Sequence, residues 1–143
     1  MQAISCEMLH ATCVAIDGHA VLLSGASGMG KSDLALRLID RGAVLVSDDY
    51  TLLAPTDGRL VATAPATIAG KMEVRGIGIV AMPHVEDVPV ALLVELADRI
   101  DRMPDDGAVH ALAGVDVPAI RLIAHEASAP IKVELALREV SGR

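Results

Sequence analysis

The chain has 143 residues, enough for one domain with a buried core, and 52% of them are hydrophobic, which excludes a disordered chain. It carries 19 acidic and 12 basic residues, and its net charge of -7 has the wrong sign for a protein that covers a phosphate backbone. It has no Phe, no Trp and 1 Tyr, so it lacks the stacking platforms of single-strand binders and no nucleic-acid partner is expected.

The termini and cysteines indicate a cytoplasmic protein. The first residues carry no Lys or Arg ahead of an apolar stretch, unlike a secretory signal. The longest apolar runs fall far short of a membrane span, so no membrane partner is expected. Cys6 and Cys13 form no metal-ligand or disulfide pattern. We expect two reduced thiols in a single domain over residues 1–143.

The first half of the chain predicts a hairpin, a helix and a further strand. Residues 13–16 and 19–23, apolar except for His19, flank an Asp-Gly pair, which suits the positive φ angles of a two-residue turn. The apolar spacing over residues 33–41 predicts a helix that ends at Gly42. Residues 43–46 form a continuous apolar run, which predicts a central strand buried on both faces.

The second half predicts mainly strands. Residues 50–54 and 59–64 flank a Pro-Thr-Asp-Gly turn, so a second hairpin is expected there. A loop is expected over residues 67–75. The remaining strands are expected over residues 77–81, 88–96 and 117–124, with a turn at residues 104–107 before the last of them.

A last helix completes the pattern. Ser128 is expected to cap it, and Ile131, Leu135 and Arg138 recur at helical spacing along it. Strands that alternate with helices in this way predict an α/β fold.

A glycine-rich segment lies between a predicted strand and a predicted helix. It consists of Gly25, Ala26, Ser27, Gly28, Met29, Gly30, Lys31 and Ser32. It matches the pattern G-x-x-x-x-G-K-[ST], in which backbone N–H groups and a helix N-terminus surround an anion. In that pattern Lys31 supplies positive charge to the β- and γ-phosphates, and Ser32 supplies a hydroxyl to Mg²⁺. The segment predicts a site for a nucleoside triphosphate and leaves the phosphoryl acceptor open.

Two pairs of charged residues follow this segment. Asp48 and Asp49 come directly after the strand over residues 43–46, and neighbouring residues of a strand point to opposite faces, so different roles are expected. Glu73 and Arg75 are two apart and can share one face of an extended segment. Taken alone, a solvated turn and a surface ion pair remain alternative interpretations of these residues.

The order of four motifs, a single histidine, GASGMGKS, VSDD and MEVRGIGIV, resembles the catalytic domain of HPr kinase/phosphorylase. The resemblance covers about residues 9–137 and is to the short alphaproteobacterial form, which lacks a separate N-terminal domain. It implies a P-loop fold related to the nucleotide domain of phosphoenolpyruvate carboxykinase. It also implies an ATP- and Mg²⁺-dependent kinase that phosphorylates a serine of HPr, the phosphocarrier of the phosphotransferase system. The family assembles as a hexamer, so a homo-oligomer is expected.

The resemblance also implies roles for individual residues. The family's catalytic histidine matches His10 and its catalytic lysine matches Lys31. Its metal ligands match Ser32 and Glu73. Its proton acceptor, which becomes the proton donor in the reverse reaction, matches Asp48. His10 is expected to orient the acceptor or to act on Asp48.

Two departures from the family concern the reverse reaction, the phosphorolysis of phosphoserine-HPr. The family has a catalytic arginine in a Gly-Arg-Asn stretch where this chain reads HEASAPIKVE, and Arg121 lies nearby but outside that motif. The family's C-terminal helices also carry a segment linked to dephosphorylation, whereas the sequence ends at Arg143, soon after its last predicted helix begins. Phosphorylase activity is therefore left open.

Two alternative functions also remain. The first is a small-molecule kinase, for which residues 54–71 are the candidate lid. The second is a catalytically silent regulatory module that binds a nucleotide. Turnover would exclude the module, and the identity of the acceptor would separate the two kinases.

Overall fold

The computed structural model describes residues 6–103 and 107–141. The elements in chain order are β1 (Glu7–Leu9), β2 (Ala11–Ile16), β3 (His19–Ser24), α1 (Lys31–Asp40), β4 (Val44–Ser47), β5 (Thr51–Thr56), β6 (Arg59–Thr63), β7 (Lys71–Val74), β8 (Gly78–Ala81), β9 (Val88–Leu96), β10 (Val109–Leu112), β11 (Val115–Leu122) and α2 (Ala129–Val140). β7 and β8 form a hairpin of their own, and the other strands form one sheet. The α/β class expected from the sequence is confirmed.

The sheet has the order β1-β5-β6-β9-β3-β2-β4, and β11 also pairs with β9. β9 runs parallel to β3 on one side and to β11 on the other. The carboxyl ends of these three strands therefore meet at one edge of the sheet. In open α/β sheets this edge is where ligands bind.

β4 was expected to be a central strand, and that prediction is wrong. β2, the first strand of the first hairpin, pairs antiparallel with both β3 and β4 and so separates them. β4 consequently lies at the end of the strand order. Its outer side is closed by a bridge between Leu45 and His84, and Leu45 and Val46 are fully buried as expected.

Both predicted hairpins are confirmed. The first turns through Asp17 and Gly18, with φ angles of 50° and 78°, and the second through Asp57 and Gly58, with φ angles of 51° and 78°. The second turn is shorter than expected because Pro55 lies within β5. A proline is tolerated there because the pairing of β5 with β1 ends at Leu53, so no neighbour on that side needs its missing N–H.

Three strands were not predicted. The first is β1, which pairs with β5. The loop expected over residues 67–75 ends in β7, which pairs with β8. β10 forms a hairpin with β11 through Ala113 and Gly114, whose φ angles are both positive. Residues 104–106 of the expected turn lie outside the described residues.

The first helix has the expected end. The N–H of Gly42 donates to the carbonyl of Ile39 and that of Ala43 to the carbonyl of Leu38, both at 3.0 Å. With Gly42 at φ 112°, these bonds form a Schellman motif. The expected pair of Asp33 and Arg37 is also present, at 3.1 Å.

The second helix begins after Ser128 as expected, but the Ser128 side chain makes no capping hydrogen bond. Val133 and Leu137 pack inward, whereas Ile131 and Leu135 are 43% and 49% exposed. The residues predicted at helical spacing, Ile131, Leu135 and Arg138, therefore lie on the outward face of α2. In the described part of the chain, no helix is long and apolar enough to cross a membrane.

The sheet is buried on both faces because alternate residues of its strands enter different clusters. Val14, Leu23 and Leu92 pack with α1 and α2. Cys13 and Leu22 enter a second cluster, whose fully buried members all come from strands. The sheet is therefore a rigid support for the loops at its edge.

The two cysteines are unpaired and lie in contrasting surroundings. Cys6 is exposed, whereas Cys13 is fully buried. Burial raises the pKa of the Cys13 thiol, because the thiolate would lose its hydration. Cys13 is consequently an unreactive core residue.

Candidate active site

The glycine-rich loop, residues 25–32, joins the end of β3 to the start of α1 at the ligand-binding edge of the sheet. Gly30 is the N-cap of α1 and has φ 96°. A Cβ atom at Gly30 would lie 3.2 Å from the Cβ of Ala124. Both the backbone angle and this close approach favour glycine at that position. The loop therefore packs against the segment that follows β11.

Lys31 is folded into the loop that precedes it. Its side chain is almost completely buried, and its Nζ donates to the carbonyls of Gly25 at 2.9 Å and Ala26 at 3.3 Å. The ammonium group is thus held inside the curve of the loop. This is the position from which it can neutralise an anion bound by the loop N–H groups.

Asp48 lies at the centre of a buried hydrogen-bond network. Its Oδ1 accepts from Ser32 Oγ at 2.6 Å and from Thr12 Oγ1 at 3.1 Å. Its Oδ2 accepts from the backbone N–H of Glu73 at 3.1 Å. Asp48 is 8% exposed. We call Thr12, Ser32 and Asp48 the floor of the site.

Asp49 turns away from the floor. Its φ angle is 69°, and the N–H of Tyr50 donates across it to the carbonyl of Asp48 at 2.8 Å. The two aspartates were expected to diverge as neighbours on a strand. They do diverge, but through this tight turn after β4, a backbone conformation that is strained outside glycine.

The turn brings Asp49 to His10. His10 Nε2 and Asp49 Oδ1 are 2.9 Å apart, and an ionised carboxylate can only accept, so the imidazole donates. The ring of Tyr50 stacks on the imidazole with centroids 4.9 Å apart and an interplanar angle of 20°. The side chain of Asp49 is 53% exposed. We call His10, Asp49 and Tyr50 the rim of the site.

Glu73 and Arg75 come from the β7–β8 hairpin. Glu73 lies on β7 and Arg75 lies in the turn after it, both exposed. The buried neighbour Met72 anchors the hairpin to the core, which leaves Glu73 on its outward face. The two residues were expected to share one face, and both line the same cavity as Asp48.

These parts surround one cavity of about 510 Å³, here called the main cavity. Its walls include Lys31, Ser32, Asp48, Asp49, Glu73 and Arg75. Hydroxyl and carboxylate oxygens are the donors that Mg²⁺ prefers, and here they lie beside the glycine-rich loop. Within the described residues no group of three His, Cys, Asp or Glu side chains forms a metal site by itself. A cation here would therefore share its coordination with phosphate oxygens or water.

Sequence reasoning missed two members of the site. Thr12 is fully buried and links the aspartates, since its Oγ1 donates to Asp48 and accepts from the N–H of Asp49 at 3.0 Å. A polar residue inside the apolar strand ATCVAI was the available signal. Tyr50 was assigned to a strand, and nothing in the sequence indicated that its ring would reach His10.

Comparison with known proteins identifies relatives over nearly the whole chain. The family model described as HPr Serine kinase C-terminal domain matches residues 2–141. The HPr kinase/phosphorylase of Limosilactobacillus reuteri is 35% identical over 127 residues, 80% of this chain and 40% of that protein. That of Clostridium tetani is 43% identical over 77 residues, 54% of this chain and 25% of that protein. The chain thus spans less than half the length of these curated relatives.

A solved structure is also similar. The Hpr(Ser) kinase/phosphatase from Coxiella burnetii superposes with a TM-score of 0.80 at 30% identity. The match covers 93% of this chain and 95% of that chain. The likeness therefore extends over most of the fold.

Proposed function

The chain belongs to the family of HPr serine kinase C-terminal domains, and from this premise we propose that it transfers the γ-phosphoryl group of ATP to a serine hydroxyl of HPr. The observation that carries the proposal is the main cavity, in which a phosphate-binding loop faces two aspartates and Glu73. Such a transfer needs positioning and charge neutralisation more than covalent chemistry by the protein. The residues around the cavity are suited to those tasks.

The nucleotide and metal are proposed to bind at the floor. The loop N–H groups and Lys31 would hold the phosphates, and Ser32 with Glu73 would hold Mg²⁺. When bound, Mg²⁺ supplies positive charge that neutralises phosphate oxygens. Asp48 fixes the hydroxyl of Ser32 at 2.6 Å and the backbone of Glu73 at 3.1 Å, so it sets the relative positions of both proposed ligands.

The resemblance assigns the proton acceptor to Asp48, but the hydrogen bonds favour Asp49. Oδ1 of Asp48 already accepts from two donors and Oδ2 from a third, which leaves about one of four acceptor positions. Asp49 is half exposed, and within the described part of the chain its Oδ2 has no hydrogen-bond partner. We propose that Asp49 accepts the serine proton, while His10 orients its carboxylate and Asp48 organises the floor.

In the proposed transfer, the serine oxygen forms a bond to the γ-phosphorus and the bond to the departing ADP breaks. The serine proton passes to Asp49. Lys31 and the loop N–H groups hold the equatorial oxygens as charge shifts toward ADP. The reverse reaction would use inorganic phosphate to attack phosphoserine-HPr and release pyrophosphate. Phosphate-dependent release of pyrophosphate tests that half separately.

One structural observation disfavours the small-molecule kinase. Its candidate lid, residues 54–71, contains most of the β5–β6 hairpin, and both strands are paired within the sheet. Apart from the two-residue hairpin turn at residues 57–58, only residues 64–70 of this stretch lie outside strands. That leaves a short segment to close over a substrate, which favours an acceptor presented by another protein.

The experiment is transfer of label from γ-labelled ATP with Mg²⁺ to HPr from the same organism. The matched control is HPr with its acceptor serine changed to alanine. Labelling of native HPr alone, located on that serine by mass spectrometry, supports the proposal. ATP binding without labelling of HPr would instead favour the silent regulatory module, and labelling of a small metabolite would favour the other kinase.

The expected homo-oligomer remains a prediction. Ile131 and Leu135 on the outward face of α2 are apolar and half exposed, as residues at subunit contacts often are in the free chain. Light scattering at micromolar concentration tests the expectation, and a monomer there would contradict it.

A further inference from the structure

A second cavity, of about 200 Å³, lies on the flank of the glycine-rich loop away from Asp48 and Glu73. The glycine-rich loop and the start of α1 form one wall, and Asp98 and His125 stand on the other, beyond the ends of β9 and β11. Clefts that hold a whole small ligand usually measure about 300–1,000 Å³. The second cavity is therefore suited to part of a ligand whose remainder lies elsewhere.

The two cavities are continuous along the loop. Gly28, Gly30 and Asp33 line both of them. A molecule bound on the loop N–H groups would thus extend to either side of residues 28–30. The groups proposed for metal binding and proton transfer all lie on the side of the main cavity, so the reacting end of such a molecule belongs there.

The charge of the second cavity fits a neutral group with hydroxyls better than a phosphate. The guanidinium in this cavity, that of Arg37, already donates three hydrogen bonds within the protein. Its Nε donates to Asp33 at 3.1 Å, its Nη1 to the carbonyl of Glu126 at 3.1 Å and its Nη2 to the carbonyl of Ala124. These bonds hold the wall after β11 against α1. Asp98 adds an exposed carboxylate, which repels anions and accepts hydrogen bonds from hydroxyls.

We propose that the second cavity binds the nucleoside part of the nucleotide, with the ribose hydroxyls donating to Asp98 and the base lying against the ring of His125. Carboxylates at strand ends bind ribose hydroxyls in other nucleotide sites. His125 contributes an aromatic ring to the lining of this cavity, and a flat imidazole suits contact with a base. This inference rests on the proposed function, because it requires the phosphates to lie on the loop.

The test measures the affinity of the full chain, with Mg²⁺, for ATP, 2′-deoxy-ATP and inorganic tripolyphosphate. The variants are Asp98→Ala and His125→Ala. Asp116→Ala, an exposed carboxylate near the start of β11, and His19→Ala, at the end of β3 remote from the loop, are the matched controls.

For ATP we expect Kd to rise about 5- to 20-fold in each cavity variant, an effect typical of one lost hydrogen bond or ring contact. The Kd for tripolyphosphate stays unchanged, which also demonstrates that the variants fold. Asp98→Ala further removes the preference of the wild type for ATP over 2′-deoxy-ATP.

Three results would count against the inference. If the cavity variants bind ATP as the two controls do, the nucleoside lies elsewhere and the inference is overturned while the proposed function stands. If the wild type binds ATP no more tightly than tripolyphosphate, the nucleoside adds nothing to binding, and the inference is likewise overturned while the proposed function stands. If the wild type binds neither compound, the loop is not a phosphate site and both proposals fail.

Discussion

The floor and the rim of the main cavity hold neighbouring aspartates in opposite environments. Asp48 is buried and accepts three hydrogen bonds, two from side chains and one from the backbone. Asp49 is half exposed, sits at φ 69° and pairs with an imidazole that itself stacks on Tyr50. Thr12 bonds to both residues, so the two environments are held in a defined relation.

The contrast indicates a division of labour. A buried carboxylate with engaged oxygens is suited to hold other groups in place, because moving it would break several bonds at once. An exposed carboxylate that is oriented by one partner is suited to take a proton from an incoming hydroxyl. Variants of the floor should therefore alter binding together with transfer, whereas variants of the rim should alter transfer alone.

The largest effect is expected from Lys31→Ala in the loop beside the floor. Loss of this charge should weaken ATP binding and lower kcat/KM on the order of 10²- to 10³-fold, as for other groups that neutralise transition-state charge. Calorimetric titration with ATP and initial rates of HPr labelling measure the two effects. Lys132→Ala, in α2, is the control and should keep both values. Unchanged ATP affinity in Lys31→Ala would contradict a role for this residue in holding the nucleotide.

Thr12→Val should disturb floor and rim together. The substitution keeps the shape of the side chain but removes the donor to Asp48 and leaves the N–H of Asp49 without its acceptor. We expect the free energy of unfolding to fall by about 1–3 kcal/mol, the usual cost of an unsatisfied buried group. Urea denaturation measures this change, and Thr12→Ser, which keeps the hydroxyl, should recover most of it. If the Thr12→Val and Thr12→Ser variants have the same free energy of unfolding, the hydrogen bonds of Thr12 to Asp48 and Asp49 contribute nothing to the stability of the fold.

Tyr50→Leu should affect the rim alone. Without the stacked ring His10 is less well oriented, and we expect kcat to fall about 3- to 10-fold, since such contacts contribute roughly 0.5–1.5 kcal/mol. KM for ATP should not change. Tyr50→Phe retains the ring and should retain wild-type kcat. Equal losses in the two variants would assign the effect to the hydroxyl of Tyr50 and not to stacking.

The smallest effect is expected far from the cavity, at the ion pair of Arg41 with Glu134 that joins the two helices at 2.7 Å. The hydrogen bond from Arg41 lowers the pKa of Glu134 in the folded chain. The pair therefore stabilises the fold above the ordinary pKa of a glutamate, and the gain is lost as the pH falls through the lowered value. Wild type should melt slightly above Glu134→Gln at pH 7, and the difference should vanish in acid.

Kinase activity should be equal in the wild type and in Glu134→Gln. Glu139→Gln, on the same helix, serves as the control for a general change of charge. A difference in Tm that persists unchanged in acid would exclude the ion pair as its cause.

Local patterns in the sequence predicted much of the fold. The Asp-Gly turns, the glycine after α1 and the loop between β3 and α1 depend on residues close together in the chain, and all of them are present. The position of β4 in the sheet was not predicted correctly, because β2 lies between β3 and β4. That arrangement depends on contacts between segments that are distant in the chain. β10 is short and mostly exposed, so it has no apolar run to reveal it.

The site shows the same limit. Spacing alone indicated Lys31, Ser32 and the two aspartates, because they belong to compact motifs. The partners of Asp48 come from β2, α1 and β7, and only the folded chain brings Thr12 to Asp48 and Tyr50 onto His10. Our proposal that Asp49, and not Asp48, accepts the proton is argued from those long-range contacts.

The division between floor and rim is tested most directly by comparing Asp48→Asn with Asp49→Asn for Mg²⁺-dependent ATP affinity and for the rate of HPr phosphorylation. Asp57→Asn, which changes another exposed aspartate in a positive-φ turn, is the control. We predict that Asp49→Asn keeps wild-type ATP affinity and loses about 10²- to 10⁴-fold in kcat, the range for a lost general base. Asp48→Asn should weaken ATP binding as well. The reverse pattern, with Asp49→Asn fully active and Asp48→Asn inactive at unchanged ATP affinity, would contradict the account and identify Asp48 as the proton acceptor.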